Sequence, residues 1–232
     1  SYADNLSVLG SALNNYDVTY QNGSLSIGKA SLMVTGANNA VTYNGSLQTN
    51  SGASYSGQKG NDSFTIIGYA TGTDYSPASY ADNLSVSGTS LSNYEVTYQN
   101  GSLSIGKASL LVTGANHVVT YNGALQTNSG ASYVGNKGND SFTITGYATG
   151  TDYSPTPYTD NLSVSGTSLN NYDVTYQNGS LSIGKASLIV NGANNAVTFN
   201  GALQTNSGAS YTGNKGNDSF AISGYATGTN VG

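Results

Sequence analysis

Cysteine, arginine and tryptophan are all absent from this chain, and only 7% of its residues are charged. The absence of cysteine excludes disulfide bonds and thiol chemistry. With no arginine, and with eleven acids against six lysines, the chain lacks the basic surface by which proteins bind nucleic acid or anionic membranes. No apolar run approaches the ~20 residues of a membrane-spanning helix, so membrane insertion is not expected.

What the chain has instead is repetition, with a period of 78 residues and no insertion or deletion. The motif Tyr-x-Asp-Asn-Leu begins at Tyr2, Tyr80 and Tyr158. Solenoid repeats usually measure ~20–50 residues, because one such repeat cannot bury a core alone. The longer period found here is sufficient for a small domain with its own core. The sequence therefore predicts a tandem array of near-identical small domains.

The apolar residues follow the two-residue period of β-strands, and no stretch keeps a period of 3.6 residues over more than two turns. This alternation predicts strands at 6–8, 32–35, 41–43 and 63–66 and at the same places in the later copies. Asn44-Gly45 predicts a turn within a longer loop, and Gly68 predicts a bulge or the end of a strand. The predicted fold class is all-β.

The strongest local signal is an Asn-Gly pair between two alternating runs, with Tyr16, Val18 and Tyr20 before Asn22-Gly23 and with Leu25 and Ile27 after it. Asn-Gly between such runs is typical of a type I′ hairpin, because both turn residues need a positive φ. Pairing across a two-residue loop would place all five apolar side chains on one face. The same hairpin is predicted at 94–105 and 172–183.

Two places are candidates for the border between repeats. The stretch 71–77 is rich in turn-forming residues and would give repeats at 1–78, 79–156 and 157–232. The second candidate is Lys29, because the apolar positions are odd before it, at Leu25 and Ile27, and even after it, at Leu32 and Val34. A one-residue shift reverses the buried face of a strand, so the two strands cannot continue one flat sheet.

Three stretches around this second border resemble a known family. Asn-Tyr-Asp-Val-Thr-Tyr-Gln-Asn-Gly-Ser-Leu-Ser-Ile at 15–27, Lys-Ala-Ser-Leu-Met-Val at 29–34 and Thr-Tyr-Asn-Gly at 42–45 resemble the MBG (mostly β-grasp) repeats of filamentous-haemagglutinin-like bacterial surface adhesins. The resemblance covers every copy and implies a β-grasp-like fold. The helix of that fold is expected to be reduced or absent, since the sequence offers no stretch for it.

In the MBG family the Lys-Ala step is the border of the domain. Carried over to this chain, the border implies complete repeats at 30–107 and 108–185, a C-terminal half unit at 1–29 and an N-terminal half unit at 186–232. The two half units are the complementary parts of one repeat. The tail of one chain is therefore predicted to complete the head of the next in an open head-to-tail filament. The alternative is that the chain is cut from a longer polypeptide.

The sequence predicts no enzyme and no catalytic or cofactor-binding residue. His117 is the only histidine, and Asn39 and Asn195 take its place in the other copies, although a required base would recur in each. Hydrolysis by paired carboxylates needs two acids on facing walls of a cleft. The acids of each repeat instead lie beside turn residues, where aspartate is common; in the first copy they are Asp4, Asp17, Asp62 and Asp74.

Calcium is the one metal that the acids favour, because its ligands are carboxylate and amide oxygens. Asp82-Asn83 and Gly60-Asn61-Asp62 supply isolated acids beside amides, without a D-x-D-x-D-G loop, so turn and cap roles are the alternative. A lysine–asparagine isopeptide bond is a further possibility and needs a buried lysine, at Lys29 or Lys59 and their equivalents. Nineteen tyrosines serve either in cores or as exposed platforms for sugars.

Three sets of recurring positions are therefore candidates for a structural role or an exposed patch: Lys29, Lys107 and Lys185; Asp62, Asp140 and Asp218; Tyr69, Tyr147 and Tyr225. The function expected from the whole sequence is a structural repeat array, the stalk or fibre of an extracellular bacterial adhesin or biofilm-matrix protein. Its expected partners are neighbouring copies of the same repeat. The alternative is a multivalent module with a weak glycan or protein site in each repeat, in which repetition supplies avidity.

Overall fold

The computed structural model describes all 232 residues, and the chain folds into two compact units, Ser1–Gly106 and Lys107–Gly232. Every element is a β-strand except three short 3-10 helices at Leu13–Asn15, Leu91–Asn93 and Leu169–Asn171. The predicted all-β class is confirmed. None of the helices is long and apolar enough to cross a membrane.

The first unit consists of a leading segment, residues 1–29, and a first repeat body, residues 30–106. β1 and β2 pair with each other inside the leading segment, and the other ten strands pair inside the repeat body. The strands are β1 (Tyr2–Ala3), β2 (Ser24–Leu25), β3 (Ala30–Thr35), β4 (Asn38–Thr42), β5 (Gln48–Thr49), β6 (Ser54–Ser56), β7 (Thr65–Ile67), β8 (Thr71–Gly72), β9 (Tyr80–Ala81), β10 (Ser85–Ser87), β11 (Tyr94–Gln99) and β12 (Ser102–Gly106).

The second unit consists of a second repeat body, residues 108–184, and a trailing segment, residues 186–232. The first ten of its strands pair inside the repeat body, and the last four pair inside the trailing segment. The strands are β13 (Ala108–Thr113), β14 (Asn116–Thr120), β15 (Gln126–Thr127), β16 (Ser132–Val134), β17 (Thr143–Thr145), β18 (Thr149–Gly150), β19 (Tyr158–Thr159), β20 (Ser163–Ser165), β21 (Tyr172–Gln177), β22 (Ser180–Gly184), β23 (Ile189–Asn191), β24 (Gln204–Thr205), β25 (Ser210–Thr212) and β26 (Thr227–Gly228).

The first and last stretches of each repeat body run side by side in parallel. In the first body β3 pairs with β11 and β4 pairs with β12. β6 adds to the free edge of β3, β9 adds to β12, and β7–β10 and β5–β8 form two antiparallel ribbons. The parallel pairs β13–β21 and β14–β22 repeat this arrangement in the second body.

Each of these stretches passes from one sheet to the next through a corner that contains a glycine, Gly36 in one stretch and Gly101 in the other. Hydrogen bonding continues across the corner, because the Gly36 N–H donates to the Gln99 carbonyl at 2.7 Å and the Ser102 N–H donates to the Ala37 carbonyl at 3.1 Å. A Cβ on Gly36 would lie 2.3 Å from the Gly101 nitrogen. The two backbones therefore approach closely only because neither glycine has a side chain.

The predicted type I′ hairpin is wrong at all three places. β11 and β12 form, but they pair with β3 and β4 instead of with each other, and no residue other than glycine has a positive φ. The side chain of Asn100 has a different role, since its Oδ1 accepts the Leu84 N–H at 3.2 Å. Tyr94 packs in the core of the β3–β11 sheet, whereas Leu103 and Ile105 are buried in the neighbouring sheet. The five apolar side chains of the predicted hairpin therefore do not share a face.

Two small cores result, one for each of the sheets that meet at the corner. The core of the β3–β11 sheet in the first body contains Leu32, Val34, Phe64, Leu84, Val86 and Tyr94. In the second body the sheet of β14 and β22 has a core of Ala148, Leu181 and Ile183.

The predicted turn at Asn44-Gly45 is confirmed. The Ser46 N–H donates to Asn44 Oδ1 at 2.9 Å, Gly45 has a φ of 78°, and Leu47 is exposed. Gly68 follows the end of β7 with a φ of 89°, as predicted for the end of a strand.

Candidate assembly site

A buried Asp–Asn cluster joins the two halves of each repeat body beside the corner. In the first body Asp82 accepts hydrogen bonds from the Ala70 N–H at 2.7 Å, from the Gly101 N–H at 3.1 Å and from Asn50 Nδ2 at 2.9 Å. Asn50 Nδ2 also donates to the Ala37 carbonyl at 2.9 Å. Asp82 and Asn50 are both buried, and the carboxylate is held by three donors with no cation, so the cluster stabilises an anion by hydrogen bonding alone.

The second body repeats this cluster with one acceptor left unpaired. Asn128 and Asp160 take the places of Asn50 and Asp82, and Asn128 Oδ1 is buried without a hydrogen-bond partner. In the first body the equivalent oxygen accepts Asn39 Nδ2 at 2.7 Å. His117 is the second-copy equivalent of Asn39. This single difference between the copies removes the amide that would donate to Asn128 Oδ1.

We expect His117→Asn to raise the free energy of unfolding of the second repeat body by about 1 kcal/mol, because it returns a donor to a buried acceptor. Asn39→His should lower the stability of the first body by a similar amount. Thermal unfolding of the two variants beside the unmodified protein checks both changes. Equal stability of all three proteins would contradict the assignment.

A second cluster joins the halves through the hydroxyl of Tyr94. This hydroxyl donates to Asp62 at 2.6 Å and accepts the Lys59 N–H at 2.7 Å, and its ring packs edge-on against Phe64 at 5.2 Å between centroids. Ser90 donates to the other oxygen of Asp62 at 2.7 Å. Tyr172, Asp140 and Phe142 repeat the arrangement in the second body.

These hydrogen bonds shift two pKa values. Tyr94 and then Ser90 hold the pKa of the Asp62 carboxyl below its ordinary value of 3.8, against a smaller opposing effect of burial. The hydrogen bond to Asp62 raises the pKa of the Tyr94 hydroxyl, with burial as the next cause. In the second unit the Tyr121 hydroxyl donates to Asp218 at 2.9 Å, and this contact raises the pKa of Tyr121.

The lowered pKa of Asp62 predicts a loss of stability in acid. Because the pKa is lower in the folded state than in the unfolded state, the contribution of Asp62 is present above pH 3.8 and is lost as the pH falls through the folded value. Asp62→Asn should make the melting temperature of the first body less dependent on pH between about pH 5 and about pH 2.5. Asp17→Asn, which changes an exposed carboxylate, is the control and should leave that dependence as it is.

The predicted site residues have different environments in the structure. Asp62, Asp140 and Asp218 are half-buried acceptors of tyrosine hydroxyls. Tyr69 and Tyr147 are half-buried and Tyr225 is exposed. Lys29 is exposed, Lys107 forms an ion pair with Asp173 at 3.8 Å, and Lys185 lies 4.8 Å from the ring centroid of Tyr153.

The structure has neither the buried lysine that an isopeptide bond requires nor the cluster of ligands that a calcium site requires. All six lysines are at least partly exposed, whereas an isopeptide bond needs a buried one. No group of three or more His, Asp or Glu side chains converges as a metal site would require. The carboxylate of Asp82 is surrounded by N–H donors, and calcium needs oxygen ligands instead.

The terminal segments expose the positions that the repeat bodies bury. Tyr16 is 72% exposed and its equivalent Tyr94 is 4% exposed, and Val190 is 56% exposed where Val34 is fully buried. Further apolar side chains of the leading segment are exposed at Leu6, Val8, Leu25 and Ile27, and further ones of the trailing segment at Leu188, Val197, Phe199 and Phe220.

Two cavities open on the second unit. One has a volume of about 490 Å³ and is bordered by Leu188, Lys215, Asp218 and Phe220, among others. The other has a volume of about 680 Å³, lies within the trailing segment and is bordered by Asn206 and Ala226, among others. Asn206 and Ala226 are the equivalents of Asn50 and Ala70, and Lys215, Asp218 and Phe220 are the equivalents of Lys59, Asp62 and Phe64. Both cavities therefore contain groups from the N-terminal half of the contacts that join a repeat body, and the smaller cavity is also lined by Tyr121, Asp152 and Tyr153 of the second repeat body.

Neither a family profile, nor a curated protein, nor a solved structure matches this chain.

Proposed function

We propose that this chain is a load-bearing section of the stalk or fibre of an extracellular bacterial adhesin or biofilm-matrix protein. Each 78-residue repeat is a β-grasp-like domain of the MBG type without its helix, and the array works by holding its two ends apart under tension. The observation that carries the proposal is the parallel pairing of the first and last stretches of each repeat body.

Parallel pairing determines how tension acts on a repeat. Tension enters the first body at Ala30, where β3 begins, and leaves it at Gly106, where β12 ends. Because the two stretches are parallel, these opposite pulls slide them past each other, and the hydrogen bonds of both strand pairs resist together. Forced unfolding is governed by the rate of unfolding, so a barrier of this kind gives mechanical resistance without high thermodynamic stability.

The corner adds a second resistance to sliding. The backbone of Gly101 lies against that of Ala37, since a Cβ on Gly101 would be 2.1 Å from the Ala37 carbonyl oxygen. A shift along the strands would force these backbones past each other. Only Lys107 separates β12 from β13, so no slack chain lies between the two repeat bodies.

Single-molecule stretching tests this function, and the absence of native cysteine allows handles at chosen places. With Lys29→Cys and Lys107→Cys, tension shears the parallel strands. With Ser46→Cys and Lys107→Cys, the same strands are pulled from one end and their hydrogen bonds break one after another. We expect a clearly higher unfolding force in the first geometry, and equal forces in the two geometries would contradict a load-bearing role.

A further inference from the structure

We propose that the leading segment of a second copy of this chain docks on the trailing segment and completes it as a repeat body. This inference deepens the proposed function and rests on it, because it names the partner that joins one array to the next. The two repeat bodies supply the geometry, since each contains both halves already joined. Residues 1–29 correspond to the C-terminal half of a body, and residues 186–232 correspond to its N-terminal half.

The first contact is made by Tyr16 in the smaller cavity. In the repeat bodies the equivalent tyrosine, Tyr94 or Tyr172, packs against a phenylalanine, donates to an aspartate and accepts a lysine N–H. The trailing segment offers the same three groups at Phe220, Asp218 and the Lys215 backbone, around the cavity of about 490 Å³. Asp218 already accepts the Tyr121 hydroxyl at 2.9 Å, so Tyr16, which is exposed, adds a second hydroxyl donor to this aspartate and places its ring against Phe220.

The second contact is made by Asp4 in the larger cavity. Asp4 already accepts the Gly23 N–H at 3.2 Å, as Asp82 accepts the Gly101 N–H. On the other side, Asn206 Nδ2 already donates to the Ala193 carbonyl at 2.9 Å, as Asn50 Nδ2 does to Ala37. Each segment therefore contains one half of a buried Asp–Asn cluster, and docking brings Asp4 to Asn206 Nδ2 and to the Ala226 N–H.

The same docking pairs the exposed backbones. By the register of the repeat bodies, residues 16–21 lie parallel to 186–191, and residues 24–28 lie parallel to 194–198. Those apolar side chains that are exposed on the two segments but buried at the equivalent positions of the repeat bodies, such as Tyr16 and Val190, then become covered. Each molecule has one leading-segment surface and one trailing-segment surface, and the two surfaces are different. The contact between them therefore produces an open head-to-tail filament.

Three glycine-to-alanine variants test the inference with one kind of substitution. No atom lies within 4 Å of a Cβ built at Gly10, Gly192 or Gly28, so each alanine fits in the undocked chain. In the repeat body the equivalent of Gly10 would place its Cβ 2.7 Å from the Phe64 ring, and the equivalent of Gly192 would place it 2.3 Å from the Gly101 nitrogen. The equivalent of Gly28 meets only a carbonyl oxygen at 3.6 Å, an ordinary contact.

Sedimentation velocity over a range of protein concentrations is the measurement. We expect the unmodified chain and Gly28→Ala to form a series of oligomers that lengthens with concentration, and Gly10→Ala and Gly192→Ala to remain monomers. A mixture of Gly10→Ala and Gly192→Ala should give dimers and nothing larger, because one variant keeps a working trailing segment and the other a working leading segment. Tyr16→Ala should also abolish association while leaving the unfolding of both repeat bodies unchanged.

Three results would overturn the inference: an unmodified chain that stays monomeric at every concentration, association that persists in Gly10→Ala or Gly192→Ala, or an equal loss of association in Gly28→Ala. The stretching experiment on the repeat bodies is independent of all three. Monomers that still resist shear would refute the docking and leave the load-bearing role in place, whereas oligomers of mechanically weak bodies would do the reverse.

Discussion

Asp82→Ala is expected to lower the free energy of unfolding of the first repeat body by about 4 kcal/mol, because three buried donors lose charge-assisted hydrogen bonds at once. Small domains are stabilised by only about 5–15 kcal/mol in total, so this change removes a large part of the margin. Hydrogen exchange followed by mass spectrometry should show β3 exchanging far faster in the variant. The unmodified β13 in the same molecule provides an internal reference.

The matched control for this substitution is Asp4→Ala. Asp4 holds the same position in the leading segment as Asp82 holds in the repeat body, but it is exposed and accepts only the Gly23 N–H. We expect the unfolding of both repeat bodies to be unchanged in this variant. If Asp4→Ala and Asp82→Ala destabilise the protein equally, the effect is not due to the buried cluster.

Gly101→Ala is expected to lower the stability of the first body by about 3 kcal/mol or more, because the new Cβ would overlap backbone atoms that cannot rotate away. That Cβ would lie 2.1 Å from the Ala37 carbonyl oxygen. Gly106→Ala, at the end of the strand β12 that follows Gly101, is the control, since its Cβ would meet only the Val41 carbonyl oxygen at 3.6 Å. Chemical denaturation of both variants should separate them clearly, and equal losses would contradict the close crossing at the corner.

Local patterns in the sequence predicted the local features of the fold. Alternating apolar residues predicted strands that form in both repeat bodies, and Asn44-Gly45 and Gly68 predicted a turn and a strand end, because these features depend on neighbouring residues. The same alternation forms no strand at 6–8 in the leading segment or at 197–199 and 219–222 in the trailing segment. The hairpin predicted from Asn100-Gly101 was wrong for the same reason, because that prediction considered only neighbouring residues. The local preference of this pair is a hairpin turn, but the strands on either side pair with partners far away in the sequence, and Gly101 is needed for a close backbone crossing.

The Asp–Asn cluster was not predicted, although both residues recur in every copy. Asp82 and Asn50 are far apart in the sequence, and nothing beside either of them suggests burial. Comparison of the copies does not single out the residues of this cluster, because the copies are so similar that almost every residue recurs. The one informative difference between the copies is His117 in place of asparagine. Its effect, an unpaired Asn128 Oδ1, is apparent only from the structure.

The single residue between β12 and β13 also bears on how such a chain reaches its native pairing. Two strands that pair in parallel need a crossover connection of about a dozen residues or more. With only Lys107 between them, the last stretch of one repeat cannot turn back to pair in parallel with the first stretch of the next. Nearly identical neighbours are prone to misassembly during folding. The short junction therefore prevents the last stretch of one repeat from pairing with the first stretch of the next repeat. Each repeat can then pair its first stretch with its own last stretch.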